Sequence, residues 1–545
     1  MRTRADGFAR LEETKNDKLD LLIVGGGATG LGLAVDAATR GYRTALVEAG
    51  DFAQATSSRA TKLIHGGVRY LASGQVHLVY EALRERRIML GNAPHLVHPL
   101  PFVAPAYTWP DLFFYGAGLK LYDLLSGKSS LGPTCILSAR ETRERVPGIA
   151  TSGLRGSVLY YDAQFNDARL ALALARTAED HGAVVLNYAR CTALHKSNGR
   201  IRGALVEDVE TGNSFEVHAS TVINATGIFV DELRCCDDPS SPHMLSVSRG
   251  THIVVPGEVL GQALGHANAI MVPKTRDGRI IFAIPWMGRV VIGTTDLPTH
   301  SIAMEPGHDS AEIDFLLETI NPYLARPIGK GDILSVFSGL RPLVTGSQVQ
   351  TSKLSREHTI EFSPSGLITV AGGKWTTYRR MAEDTLNAAM RRGMMARRRC
   401  ITRTIRLHGV PEQPPAPGPL SHYGTEAAEI AALWAADPRL ATPLDAALPY
   451  TRAEAVFAAR HEMARTVEDV LSRRTRALLL DAEAAKRAAP VVASLLAAEL
   501  GQGTAWIERE TNRFIALAQE FYSAPGAASE VLSEEPGQQA AHMRL

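Results

Sequence analysis

Residues 21–30 read LLIVGGGATG: four apolar residues run into three consecutive glycines, and a fourth glycine follows at Gly30. The run Leu21–Val24 predicts a short, buried parallel strand. Apolar residues at helical spacing over Leu31–Arg40, with Gly41 as a stop, predict the helix that follows. Between strand and helix, Gly25, Gly27 and Gly30 stand in G-x-G-x-x-G register, and a second apolar run, RTALVEA, ends in Glu48. A chain drops its side chains at such a turn for physical reasons. Gly25 allows the tight turn, Gly27 brings backbone close to a pyrophosphate, and Gly30 lets the helix pack on the strand. The helix N-terminus faces the phosphates, and Glu48 can accept from ribose hydroxyls. The pattern therefore predicts a dinucleotide-binding βαβ unit, a plain βαβ turn being the alternative.

No second glycine fingerprint occurs, so a single dinucleotide is the economical reading. The stretch ATSSRATKLIHGGVRYL (55–71), small, polar and glycine-rich, follows closely after the acid. It suits a flavin, which extends past its pyrophosphate to a ring that needs polar contacts and close backbone. At 545 residues the chain exceeds one ordinary core, so two or three domains are expected. A hydrophobic content of 45% with 21% charged residues fits a folded globular protein. The net charge of +1 provides no basic field for nucleic acid. Five scattered cysteines lack metal-ligand spacing, so no metal is expected; Cys235–Cys236 read as ordinary thiols of a reducing compartment. The N-terminal MRTRADGFARLEETKND lacks the apolar region of a signal peptide, and its acids speak against a transit peptide. The longest apolar run is interrupted by glycines and Asp36 and makes a poor membrane span.

Seven stretches occur in one order across residues 19–390: GGGATG (25–30), ATSSRATKLIHGGVRYL (55–71), INATG (223–227), THIVVP (251–256), IPWMGRVVIGTTD (284–296), SGLRPL (338–343) and GGKWTTYR (372–379). Together they resemble the aerobic, FAD-dependent glycerol-3-phosphate dehydrogenases of the D-amino-acid-oxidase-like flavoprotein superfamily. RHEMARTVEDVLSRRTRALLL (460–480) resembles that family's C-terminal domain. The resemblance implies FAD as cofactor, held by Gly25, Gly26, Gly27, Thr29, Gly30, Glu48, Ser57, Ser58, Lys62, His65, Thr226, Gly227, Lys374 and Thr376. It implies glycerol 3-phosphate as substrate, contacted by Tyr70, Arg341 and Arg356, with catalytic roles for His252, Arg341 and Lys374. Before THIVVP, where relatives often carry a lysine, this chain has Arg249 in SVSRG and keeps the charge.

The fold expected is an α/β, Rossmann-like FAD-binding domain with an inserted antiparallel-sheet substrate cap and an all-α C-terminal domain. The FAD-binding domain is expected over 19–95, 155–245 and 331–395, and the cap over 96–154 and 246–330. GVPEQPPAPGPL (409–420) reads as a linker, 421–525 as the helical domain and 526–545 as a disordered tail. Within this frame Asp167–His181 predicts a helix, AVVLN a strand, and SNGR and ETGNS hairpin turns.

Oxidising a phosphorylated polyol requires a clamp for the phosphate dianion and an acceptor for the hydroxyl proton. Arg341, Arg356 and Lys374 are candidates for the first, and His252 and His65 for the second. Residues 107–128, YTWPDLFFYGAGLKLYDLLSGK, crowd aromatics and leucines into a segment too short to span a bilayer. The segment reads either as an interfacial helix or as a buried helix of the cap. The resulting expectation is peripheral attachment to the cytoplasmic face of the cell membrane, with a membrane quinone as electron acceptor. Oxygen as acceptor, as in a glycerol-3-phosphate oxidase, and a non-catalytic flavoprotein that binds partners are the alternatives. A homodimer is left open.

Overall fold

The computed structural model describes residues 3–67, 75–261, 268–273, 275, 278–344, 358–413 and 418–524. Tyr70, Arg356, the 526–545 tail and part of the 409–420 linker lie outside the described residues.

Two sheets and a helical domain carry the architecture. In the first sheet the strands lie side by side as His358–Phe362, Ile368–Gly372, Ser214–Asn224, Leu19–Val24, Thr44–Val47 and Val184–Leu186. Along this row every adjacent pair is parallel except the outermost, His358–Phe362 with Ile368–Gly372, and an antiparallel hairpin, Ala189–Ser197 with Arg200–Asp208, adds to Ser214–Asn224. Leu19–Val24 is buried along nearly its whole length, which is why it reads as an unbroken apolar run. The helix Ala28–Thr39 is buried from Gly30 to Ala38 because helices Asp167–Asp180 and Tyr378–Arg391 cover it. A hairpin at Asn198–Gly199 and a turn at Thr211–Gly212 sit where SNGR and ETGNS are expected.

The second sheet runs Leu297–Thr299, Leu245–Pro256, Arg289–Gly293, Ile281–Trp286, Ala269–Val272, Val97–Ala106, Gly156–Phe165 and Leu63–Ile64. Ser335–Val344 pairs with the free side of Leu245–Pro256, and Cys135–Ser138 with Gly156–Phe165. One pair, Ala269–Val272 with Val97–Ala106, is parallel, so the sheet is not purely antiparallel. The expected domain limits also need correction. Residues 156–165 and 335–344, assigned by sequence to the FAD-binding domain, are strands of this second sheet. The cause is long-range pairing: Gly156–Phe165 aligns along its full length with Val97–Ala106, and Ser335–Val344 with Leu245–Val254. Local alternation does not specify such partners.

Helices Ala427–Ala436, Arg452–His461, Ala482–Leu500 and Thr504–Phe521 form the C-terminal domain. Its core is continuous with one face of the second sheet, through Val254, Trp286, Val291 and Phe337. The segment of ambiguous sequence forms the helix Trp109–Ser126, capped by Thr108. It buries Leu112, Leu119 and Tyr122 and leaves Trp109, Phe113, Phe114, Leu121 and Leu124 exposed. No described helix is long and apolar enough to cross a membrane.

Candidate active site

The glycine turn lies at the carboxyl end of Leu19–Val24, the position where open α/β sheets bind ligands. Gly25 has φ +110°, and a Cβ there would lie 2.5 Å from the Ala225 carbonyl oxygen. A Cβ on Gly30 would meet the Gly25 carbonyl oxygen at 1.8 Å, so helix and strand approach only because both residues are glycine. Gly27 differs. It is the N-cap of the helix with no side-chain cap, and its added Cβ would meet nothing closer than Ser57 Oγ at 3.1 Å. The packing at 27 is tight but not blocked, and a ligand lying against this helix N-terminus would add the demand for a glycine. Glu48 closes this side, accepting from Gly26 N at 2.6 Å and Gly50 N at 2.8 Å. Ser57 Oγ accepts from Ala28 N at 2.9 Å, and Thr29 is half-buried beside it.

Neighbouring strands complete the cradle. Thr226 and Gly227 follow the end of Ser214–Asn224, with Thr226 Oγ1 donating to Asn224 Oδ1 at 2.7 Å. Gly227 has φ +64°, and open space lies where its Cβ would be. Gly372 ends the strand Ile368–Gly372, and Gly373 and Lys374 follow it. Beyond them Trp375 Nε1 donates to the Ser57 carbonyl at 2.8 Å, and Thr376 Oγ1 to the His65 carbonyl at 3.4 Å. The pyrophosphate cradle, the acid at the second strand and the tie to the 55–65 stretch together fit an FAD lying along these strand ends.

The second sheet meets this cradle through the same stretch. Thr61 Oγ1, four residues beyond Ser57, lies 3.0 Å from His252 Nε2. His252 stacks on Phe337 with ring centres 4.6 Å apart, and its Nδ1 has no hydrogen-bond partner among the described residues. Register places Ser248 opposite Arg341, Gly250 opposite Gly339 and His252 opposite Phe337. The strand period of two puts His252 and Arg341 on one face, separated by the glycine pair. A Cβ on Gly250 would fall 2.3 Å from the Arg341 guanidinium, so that glycine keeps the arginine's place open. Arg341 Nη1 contacts Asp296 Oδ1, and Nη2 contacts Thr294 Oγ1 and the Thr295 carbonyl, each at 3.1 Å. Its side chain keeps 23% exposure, enough to be reached by a solute. Burial pushes the His252 imidazole well below its ordinary pKa, and the charges of Arg341 and Lys62 add to this. Burial thus favours the neutral ring, whose Nε2 faces the Thr61 hydroxyl.

Lys62 departs from expectation. Its side chain is fully buried, donating to Asp167 Oδ2 at 2.7 Å and the Ser58 carbonyl at 2.8 Å, so its ammonium does not face the cradle. Burial lowers its pKa to about 7. Arg249 likewise turns to the opposite face, pairing with Asp309 and Glu312. Sequence reasoning did not assign roles to Thr61, Asp296 or Trp375. All lie inside the family-like stretches, but only the strand register reveals which side chains point inward. Among the described residues no cluster of metal ligands occurs, and the cysteines are free.

Comparison with known proteins agrees with this geometry. Residues 20–379 match the FAD dependent oxidoreductase family, the class that the parallel sheet and its cradle define, and residues 370–507 match the C-terminal domain of alpha-glycerophosphate oxidase. A mitochondrial glycerol-3-phosphate dehydrogenase of Arabidopsis thaliana is 39% identical over 562 residues, covering 95% of this chain and 88% of that protein. The mitochondrial glycerol-3-phosphate dehydrogenase of Homo sapiens is 39% identical over 540 residues, covering 92% of this chain and 73% of that protein. The structure of the glycerol-3-phosphate dehydrogenase from Bacillus halodurans complexed with FAD aligns with a TM-score of 0.76 at 28% identity, covering 97% and 99% of the two chains. The chain belongs to the glycerol-3-phosphate dehydrogenases of the FAD-dependent oxidoreductase family.

Proposed function

We propose that the protein oxidises sn-glycerol 3-phosphate to dihydroxyacetone phosphate and passes the electrons to a membrane quinone. One observation carries the reading. Arg341 and His252 share a face across the Gly250–Gly339 pair, and the Ser57–Thr61 stretch links that face to the dinucleotide cradle. Bound FAD supplies the hydride acceptor. Arg341 binds the phosphate dianion, its plane fixed by Asp296, Thr294 and the Thr295 carbonyl. Neutral His252 takes the proton of the C2 hydroxyl. Gly25, Gly26, Gly27, Thr29 and Gly30 hold the pyrophosphate with Ser57. Glu48 holds a ribose, and Thr226, Gly227, Lys374 and Thr376 line the remainder of the cofactor. Ser58, Lys62 and His65 contribute through backbone, and Tyr70 and Arg356, outside the described residues, are assigned to the substrate by the family resemblance alone. The second sheet is then the substrate cap.

The quinone part of the reading rests on the helix Trp109–Ser126. Phe113 and Phe114 are 64% and 73% exposed and Leu124 is 76% exposed, an apolar face left open by the described residues. A cleft of about 710 Å³ beside the end of this helix is lined by Arg84, Arg87, Lys128 and Arg403, with no acid among its lining residues. Aromatics at headgroup depth next to cations suit the surface of an anionic membrane. The enzyme accordingly attaches peripherally to the cytoplasmic face of the cell membrane. The match of residues 370–507 to an oxidase domain keeps oxygen as the second acceptor to test. Stopped-flow reoxidation of the reduced enzyme decides between them. A quinone analogue should reoxidise it far faster than dissolved oxygen, and the reverse order would make it an oxidase.

A further inference from the structure

Between the helical domain's Arg452–His461 and Ala482–Leu500, the stretch 469–480 runs back to the nucleotide-binding half. Arg473 pairs with Asp51 at 2.5 Å, and Arg474 pairs with the same carboxylate. Arg476 reaches further. It has φ +68°, a conformation that costs a non-glycine residue energy and persists only where surroundings impose it. Its side chain is fully buried. The guanidinium donates to the Ser58 carbonyl at 2.5 Å and lies 3.1 Å from Asp167 Oδ1.

Those two acceptors anchor one loop. Lys62 donates to the same Ser58 carbonyl and to Asp167, and Ala60 N donates to Asp167 Oδ2 at 3.1 Å. Positions 58, 60 and 62 are thus tied to a single buried charge cluster. The adjoining positions 57 and 61 carry the contacts of the site: Ser57 to Ala28 N at the cradle and Thr61 to His252. The same cluster touches the histidine from a second direction, since the Lys62 ammonium sits 5.1 Å from the Phe337 ring on which His252 stacks. Phe337 itself packs into the core of the C-terminal domain.

We infer that Arg476 is a positioning residue for the oxidation. Through Ser58 and Asp167 it holds the 57–62 loop in the one arrangement that gives Ser57 to the dinucleotide cradle and Thr61 to His252. The inference rests on the reading of the site given above and assigns the C-terminal domain a part in it. The domain supplies the underlay of the catalytic loop, and the site is incomplete without it.

The test uses the full-length, FAD-loaded enzyme carrying Arg476→Met, Arg476→Lys, Thr61→Ala or the Arg476→Met/Thr61→Ala pair. Arg460→Met, which removes the exposed contact to Glu499, is the control. Amide hydrogen exchange should quicken in peptides covering 56–62 of Arg476→Met, with FAD bound and after its removal, and Arg476→Lys should restore most of the protection. With glycerol 3-phosphate and a soluble dye, kcat of Arg476→Met should fall by roughly tenfold to a hundredfold, more than KM changes, as expected for losing hydrogen bonds of a charged group. Adding Thr61→Ala to Arg476→Met should cost less than Thr61→Ala costs alone. Arg460→Met should match the unaltered enzyme. Wild-type exchange in 56–62 of Arg476→Met, or losses that multiply in the double variant, would overturn the inference. If Arg476→Met does not fold, Arg476→Gln decides by the same exchange and kcat comparison. If the unaltered enzyme does not oxidise glycerol 3-phosphate, the substrate reading has failed, and exchange over 56–62 still decides this one.

Discussion

Any side chain at Gly27 would enter the space in front of the helix N-terminus, where Ser57 Oγ, the acceptor for Ala28 N, lies 3.1 Å from the new Cβ. Gly27→Val should therefore purify folded but nearly free of flavin, read from its visible absorbance; full, tightly held FAD would remove the pyrophosphate from this turn. Arg341 makes a second residue-scale prediction. A hydrogen bond to a charged group contributes about 1.5–3 kcal/mol, and about 1.4 kcal/mol is a factor of ten. Arg341→Ala should thus lose roughly tenfold to a few hundredfold in kcat/KM while keeping its FAD, and unchanged kinetics would move the phosphate elsewhere. The same variant has a pH signature. Burial and then the Arg341 charge hold the His252 pKa low, so the acidic limb of kcat/KM should lie below pH 6.5 in the unaltered enzyme. Removing the cation favours the protonated ring, so the limb should move to higher pH in Arg341→Ala. At this scale the glycine fingerprint and Glu48 were legible because their spacing is local. The direction of the Lys62 side chain was not legible, because it depends on Asp167, 105 residues away.

The helix Trp109–Ser126 shows what sequence decides at the level of an element and what it leaves open. Its aromatic content is plain, but two readings, interfacial or buried, fit equally until packing separates Leu112, Leu119 and Tyr122 from Phe113, Phe114 and Leu124. With those outward rings exposed, Phe113→Glu/Phe114→Glu should leave fold and flavin intact. It should release the enzyme from membranes in a sedimentation assay and slow quinone reduction while sparing a soluble dye. A double variant that loses its flavin would make the helix part of the core. The strands at 156–165 and 335–344 carry the same lesson, since their sheet is chosen by partners that no local period names. A different element contact makes a prediction about pH. His408 bridges Asp180, at the end of helix Asp167–Asp180, and Glu426 at the edge of the C-terminal domain. Burial alone would lower its pKa, but the hydrogen bonds to these carboxylates outweigh it and lift the pKa to about 9. The stability this gives is full below the ordinary value of 6.5 and is lost as pH rises through about 9. The difference in Tm between the unaltered protein and His408→Gln should shrink over that interval. A difference that stays constant would show that His408 does not couple the two elements through its charge.

The whole molecule is a largely parallel sheet with the glycine turn at its strand ends, a second sheet that carries Arg341 and His252 on one face, and a helical domain packed on the second sheet's continuing face. The first of these was readable from sequence because a βαβ unit is compact and its glycines are contiguous. The joint between the parts was not. It consists of pairs such as Arg476 with Asp167 and Arg474 with Asp51, acids and bases 309 and 423 residues apart that look like ordinary surface charges until the fold buries them. The central claim, that this assembly oxidises glycerol 3-phosphate at its flavin, meets its most direct test in an anaerobic titration of the purified, FAD-loaded protein. Stepwise glycerol 3-phosphate should bleach the oxidised flavin absorbance to completion without any other reagent, and dihydroxyacetone phosphate should appear in equal amount. A flavin that stays oxidised with substrate in excess, in folded protein that dithionite can still reduce, would contradict the account.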